Sequence, residues 1–119
     1  MLRCFTILAL FAGMTVGAAA LAAEPTTAQL TIKNRMFTVQ ELTLPANTKV
    51  KLVVENQDSI PAEFESYDLS REVVVPGHSS IVVYLGPLPP GKYNFFNDFN
   101  HAAQGWVVVA KPSQAKTGE

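Results

Sequence analysis

Two short segments of this 119-residue chain hold side chains able to do chemistry: Glu63-Phe64-Glu65 and Asp98-Phe99-Asn100-His101. On a strand, residues two apart face the same way. Phe64 then turns toward a core and both carboxylates toward the other face. Neighbouring carboxylates repel unless a cation or a base lies between them, so Glu63 and Glu65 are a candidate cation site; the plain alternative is a solvated strand face. In the second segment Asp98 and His101 follow an aromatic strand and precede Gly105. Imidazole is the commonest metal ligand, and aspartate is a hard oxygen partner; the plain alternative here is a solvated loop. Met36 adds a thioether, a donor for copper(I), or simply fills a gap. His78, in Pro76-Gly77-His78, reads as an exposed turn residue, and Glu72, beside Arg71, as half of a local ion pair. No persuasive Ser/His/Asp order, nucleophile elbow or phosphate-cradling glycine loop is present.

The elements that position these residues follow a leader. Met1-Leu2-Arg3 precedes an apolar run from Cys4 to Ala23 that ends in small residues. That is the layout of a secretory signal peptide cleaved near Ala22 or Ala23; an uncleaved membrane anchor is the competing reading. With the leader removed, one small domain remains and no membrane span. The expected division is a signal peptide over 1–23, a domain over 24–110 and a flexible tail over 111–119. Cys4 is the only cysteine and falls in the leader, so the exported domain has neither disulfide nor thiolate. Its stability must come from its core or from a bound ligand. Nine basic and ten acidic residues give a formal charge of −1; losing Arg3 takes it to −2. The basic residues are scattered, with no basic stripe interleaved with aromatics, which argues against nucleic-acid binding.

Along the domain, short apolar series alternate with turns. Leu30 and Ile32 form one; Phe37, Val39, Leu42 and Leu44 form the next, with a phase change after Val39 that predicts a bulge or kink. Val50, Leu52 and Val54 form a third. Ala62–Ser66, Val73–Val75, a strand around Ile81, Val83 and Leu85, then Tyr93–Asn97 and Trp106–Ala110 complete the series, with a polar loop expected between the last two. Seven or eight short strands and no helix make an all-β, Greek-key β-sandwich. Leu88-x-x-Gly91-x-Tyr93 fits a tyrosine corner.

The block Pro90-Gly91-x-Tyr93-x-Phe95-Phe96-x-Asp98-Phe99-Asn100 resembles the last two strands of a cupredoxin-like domain, with Asn97 where blue-copper proteins place cysteine. Together with Leu42-x-Leu44-Pro45-Ala46, Ala62-Glu63-Phe64-Glu65-Ser66, Leu69-x-Arg71-Glu72 and Pro76-Gly77, it makes nearly the whole exported chain similar to EfeO-type cupredoxin-like domains. These are small exported domains linked to periplasmic iron uptake. The resemblance implies a metal site of Glu63, Asp98 and His101, with Glu65 and Met36 as further candidates, where the two segments approach at one end of the sandwich. It implies copper or iron as the bound ion, a periplasmic location, and a membrane iron permease or another iron-uptake component as partner. The missing cysteine disfavours a blue-copper electron carrier. The protein is then a binding or accessory protein, delivering iron or supporting ferrous oxidation with copper. Two other readings compete: an interaction module without metal, anchored through Trp106 if that residue is exposed, and a periplasmic copper carrier using Met36 and His101.

Overall fold

The computed structural model describes residues 12–14, 16–18 and 25–112. The expected leader and tail therefore lie mostly outside the described residues. Among the described residues there are nine strands and no helix. They are β1 (Thr26–Lys33), β2 (Met36–Phe37), β3 (Glu41–Leu44), β4 (Val50–Asn56), β5 (Ala62–Ser66), β6 (Arg71–Val75), β7 (Ser79–Leu85), β8 (Gly91–Asn97) and β9 (Asn100–Val109).

The alternation predicts its own burial. In β4, Val50, Leu52, Val54 and Asn56 are buried, while Lys51, Val53 and Glu55 are half-buried, as a strand with one face on a core requires. Two sheets face each other. One has the order β2-β1-β4-β7 and the other β3-β9-β8-β5-β6. Within them β1 runs parallel to β4 and β3 parallel to β9, and the other pairs are antiparallel. Between the sheets Phe95 packs edge-on to Phe37, with ring centroids 4.9 Å apart, and tilted against Phe64 at 5.6 Å. Phe64 and Phe95 are both fully buried. A side chain at Gly105 would meet the Phe95 ring at 2.4 Å, so the ring needs bare backbone there. The Tyr93 hydroxyl donates to Pro89 O at 2.6 Å, which closes the expected tyrosine corner.

Two local expectations change. The phase shift after Val39 is no bulge: β2 pairs with β1 in the first sheet, and β3 pairs with β9 in the second. The chain crosses between sheets there, so the inward face switches and Val39 is left exposed. The polar loop after Asn97 also shortens. Asn97 pairs directly with Asn100, leaving Asp98-Phe99 as the turn, and His101 belongs to β9.

Asn56 holds the connection that leads into β5. Its side chain is buried; the amide donates to Ile60 O (2.8 Å) and Val75 O (3.1 Å), and its oxygen accepts from Asp58 N (3.0 Å). Removing it strands polar groups that burial has already cut off from water. Asn56→Ala should therefore cost roughly 2–4 kcal/mol, read as the urea midpoint of the purified protein. A loss under about 0.5 kcal/mol would show that water replaces the amide.

A carboxylate trio on the outer sheet face

Strand β5 is buried along its whole length, which is unusual for a strand containing two glutamates. Ala62, Phe64 and Ser66 alternate with Glu63 and Glu65, so the two carboxylates share the face away from the Phe64 core. Antiparallel pairing then adds a third. Glu65 stands opposite Glu72 on β6, and Glu63 opposite Val74. Directly paired residues project to the same side. Carboxylate oxygens of Glu63, Glu65 and Glu72 all lie within 4.8 Å of one another, and no other group of three or more His, Cys, Asp or Glu side chains is so arranged among the described residues.

Exposure and partners set the electrostatics of the trio. Glu63 is 4% exposed and Glu65 is 8%, whereas Glu72 is exposed. Glu63 Oε1 is buried without a hydrogen-bond partner. The ion pairs among the described residues are Lys92–Glu41 and His101–Asp98, neither of which reaches the trio. Arg71, next in sequence to Glu72, spends its guanidinium on Leu69 O, Ser70 O and Tyr84 O. The local ion pair expected for Glu72 does not form. Burial, followed by the neighbouring Glu65 and Glu72 carboxylates, pushes the Glu63 pKa from its ordinary 4.5 up to about 7. Three acids in so small a space need a proton or a cation.

Asp98 and His101 form a different group. His101 Nε2 lies 2.9 Å from Asp98 Oδ1, and both side chains are substantially exposed. Phe96 separates this pair from the trio. On β8 it is registered opposite Glu65 of β5 on one side and Gln104 of β9 on the other. Its ring stacks obliquely on Tyr67 (5.3 Å) and meets the His101 ring edge-on (6.2 Å). The two segments do approach one another through the backbone, because Glu63 N donates to Asn97 Oδ1 at 3.0 Å. Their ligand atoms nevertheless fall into two groups. Met36, 41% exposed on β2, meets Asn100 Nδ2 through its sulfur at 3.8 Å. Sequence reasoning set Glu72 aside. A hairpin with its turn near Tyr67–Ser70 would have placed it opposite Glu65.

Asn97, at the position where the resemblance expects a cysteine, is held by the backbone. It is 3% exposed, and its Oδ1 accepts from both Glu63 N and Phe99 N (3.1 Å). That oxygen is committed to backbone, and the chain's single cysteine is Cys4. A thiolate copper centre does not fit these residues. The trio, by contrast, offers oxygen donors alone, which suit hard cations.

The fold is that of a two-sheet cupredoxin sandwich with an acidic trio on one sheet face. Residues 5–109 match the cupredoxin-like domain family, and the chain belongs to it. An uncharacterized protein of Rickettsia prowazekii (strain Madrid E) is 44% identical over 82 residues, covering 68% of this chain and 66% of that relative's length. Among solved structures the chain is similar to auracyanin A, a "blue" copper protein from Chloroflexus aurantiacus, with a TM-score of 0.61 and 16% identity over 72% of this chain and 99% of that one. It is similar also to the metal-binding domain of a Cu(I)-exporting P-type ATPase of Streptococcus pneumoniae D39, with a TM-score of 0.63 and 10% identity over 78% of this chain and 93% of that one. At these identities the structural likenesses show the fold alone.

Proposed function

We propose that this is an exported, EfeO-type cupredoxin-like protein that holds iron on Glu63, Glu65 and Glu72 and delivers it to a membrane iron permease in the periplasm. The observation that carries the reading is the buried, unpartnered Glu63 Oε1 inside a trio of carboxylates that no ion pair among the described residues reaches. Hard cations bind oxygen at about 2.0–2.6 Å, so donors on opposite sides of such an ion stand about 4–5 Å apart. The spacing of the trio matches that size. Three carboxylates supply the charge, and water can complete the coordination on the exposed Glu72 side. The pair Asp98 and His101 lies across Phe96 and is not needed for this cation. The partner is inferred from the likeness of the Glu-Phe-Glu-Ser and Phe-Phe-x-Asp-Phe-Asn segments to iron-uptake domains. As cargo, iron is bound and released unchanged, and no catalytic step is required of the protein.

Calorimetric titration with anaerobic iron(II), and separately with copper(II), tests the site. Iron(II) should bind with a stoichiometry of about one. Glu63→Gln keeps the shape and removes the charge, and should weaken binding by about tenfold or more, a loss on the scale of one charge-assisted contact. Equal affinity in the variant would remove Glu63 from the site. Absence of iron binding in the wild type would leave the metal-free interaction module, for which the exposed Trp106 is an anchor candidate.

A further inference from the structure

We propose that strand β7 is a docking edge for a second copy of this chain, the two copies joining their β2-β1-β4-β7 sheets through antiparallel β7 strands centred on Val82. β7 is the last strand of its sheet and pairs only with β4, in a register that runs unbroken from Ser79 to Leu85. The facing of its backbone follows from β4. Gln57 N, just past β4, donates to Ile32 O on β1 at 2.9 Å, so by alternation Leu52 and Val54 turn their polar groups toward β7. Their partners Val83 and Ile81 face β4 in turn. That leaves the N–H and C=O of Ser80, Val82 and Tyr84 on the open edge. Arg71 Nη2 reaches Tyr84 O there at 3.0 Å, and no other hydrogen bond among the described residues occupies that edge.

Strands that end a sheet normally carry a guard: shortness, charge, proline or a bulge. β2 has two residues, β3 has four and is followed by Pro45, and β6 opens with Arg71-Glu72. β7 has seven residues, Ser-Ser-Ile-Val-Val-Tyr-Leu, and none of these guards. On its outer face Val82 is 45% and Tyr84 49% exposed, and the Lys49 ammonium sits over the Tyr84 ring at 5.1 Å. The strand is complementary to itself. Antiparallel pairing about Val82 sets Val82 against Val82 and Tyr84 against Ser80 of the second copy. Free donors then meet free acceptors, and the two valines cover one another. The neighbouring strand selects this register. Lys51 stands beside Tyr84 and Glu55 beside Ser80, so each row across the join runs from a lysine on one copy to a glutamate on the other. Centring on Tyr84 would align lysine with lysine, and centring on Ser80 glutamate with glutamate. The charges lie about 14 Å apart, three strand spacings, so they choose the register more than they hold the join. A twofold contact of this kind closes on itself and does not grow into a fibre. The carboxylate trio belongs to the other sheet, so the contact does not depend on the iron reading.

Sedimentation equilibrium of the purified protein at rising concentration tests the proposal. The expected result is a reversible monomer–dimer equilibrium. Val82→Lys and Val82→Glu each put like charges face to face at the twofold axis, and each should weaken association by about tenfold or more. Mixed in equal amounts, the two variants should associate again, because a lysine then faces a glutamate. Only a contact in which the Val82 position meets itself behaves this way. Val82 lies on the outer face, so each variant should keep the wild-type melting curve. A wild type that stays monomeric, a dimer that persists in both variants, or folded variants that fail to associate when mixed overturns the β7 contact. Glu63→Gln should dimerise as the wild type does. Iron(II) binding by the trio is read separately by titration, so either conclusion can fail alone.

Discussion

Without metal, the protein should lose about 3 kcal/mol of stability between pH 4.5 and 7, and a bound cation should restore it. The cause is Glu63, whose pKa rises from 4.5 to about 7 on folding. In that window the folded state holds a proton that the unfolded state has released. Stability falls with pH wherever the native state binds more protons, so the contribution is complete below pH 4.5 and is lost as pH rises through 7. This is opposite to the usual behaviour of a salt-bridged carboxylate. The size follows from about 1.4 kcal/mol per tenfold change in proton affinity. Glu63→Gln, neutral at every pH, should remove the slope and exceed the wild type in stability at pH 8. A cation at about a hundred times its dissociation constant adds about 2.7 kcal/mol, and more of it at high pH, where no proton competes. Urea denaturation at several pH values, with and without manganese(II) as a redox-inert stand-in for iron, measures all of this. The same slope in wild type and Glu63→Gln would return Glu63 to solvent.

Asn97→Ala should cost about 2–4 kcal/mol and disturb both the carboxylate trio and the Asp98–His101 pair. The Asn97 oxygen satisfies two amides, Glu63 N and Phe99 N, at a position 3% exposed. Without it both donors lose their acceptor, at about 1–2 kcal/mol apiece. Phe99 lies in the turn between Asn97 and Asn100, and Glu63 carries the orphaned oxygen of the trio, so the substitution should also weaken iron binding. Asn97→Asp keeps an acceptor and should recover most of the stability at neutral pH. The checks are denaturant midpoints and iron titration of both variants. An Asn97→Ala variant with wild-type stability and affinity would show that the Asn97 contacts hold nothing in place.

Much of this could be read from the residues in order. Alternation in Val50–Asn56 shows a half-buried strand because side chains on a strand point to opposite faces by geometry. The Tyr93 corner and the all-β fold follow from similarly local patterns. So does the shared face of Glu63 and Glu65, since both sit on one strand two residues apart. The sequence carries a single cysteine, Cys4, far from the last two strands, which disfavours a thiolate centre there.

What stayed hidden depended on partners far along the chain. The shift after Val39 looks the same in sequence whether a strand bulges or changes sheets; only the pairing of Phe37 with Ile32 and of Leu42 with Val107 decides it. Glu72 sits beside Arg71 in sequence, yet the arginine turns to Tyr84 O and the glutamate to Glu65. Asp98 and His101 group apart from the trio, with Phe96 opposite Glu65 on one strand and edge-on to the His101 ring. Sequence by itself determined two of the three carboxylates and the strand face they share. Tertiary structure decided their grouping and their charge state, since register selects the third carboxylate and burial raises the energy of an unpaired charge.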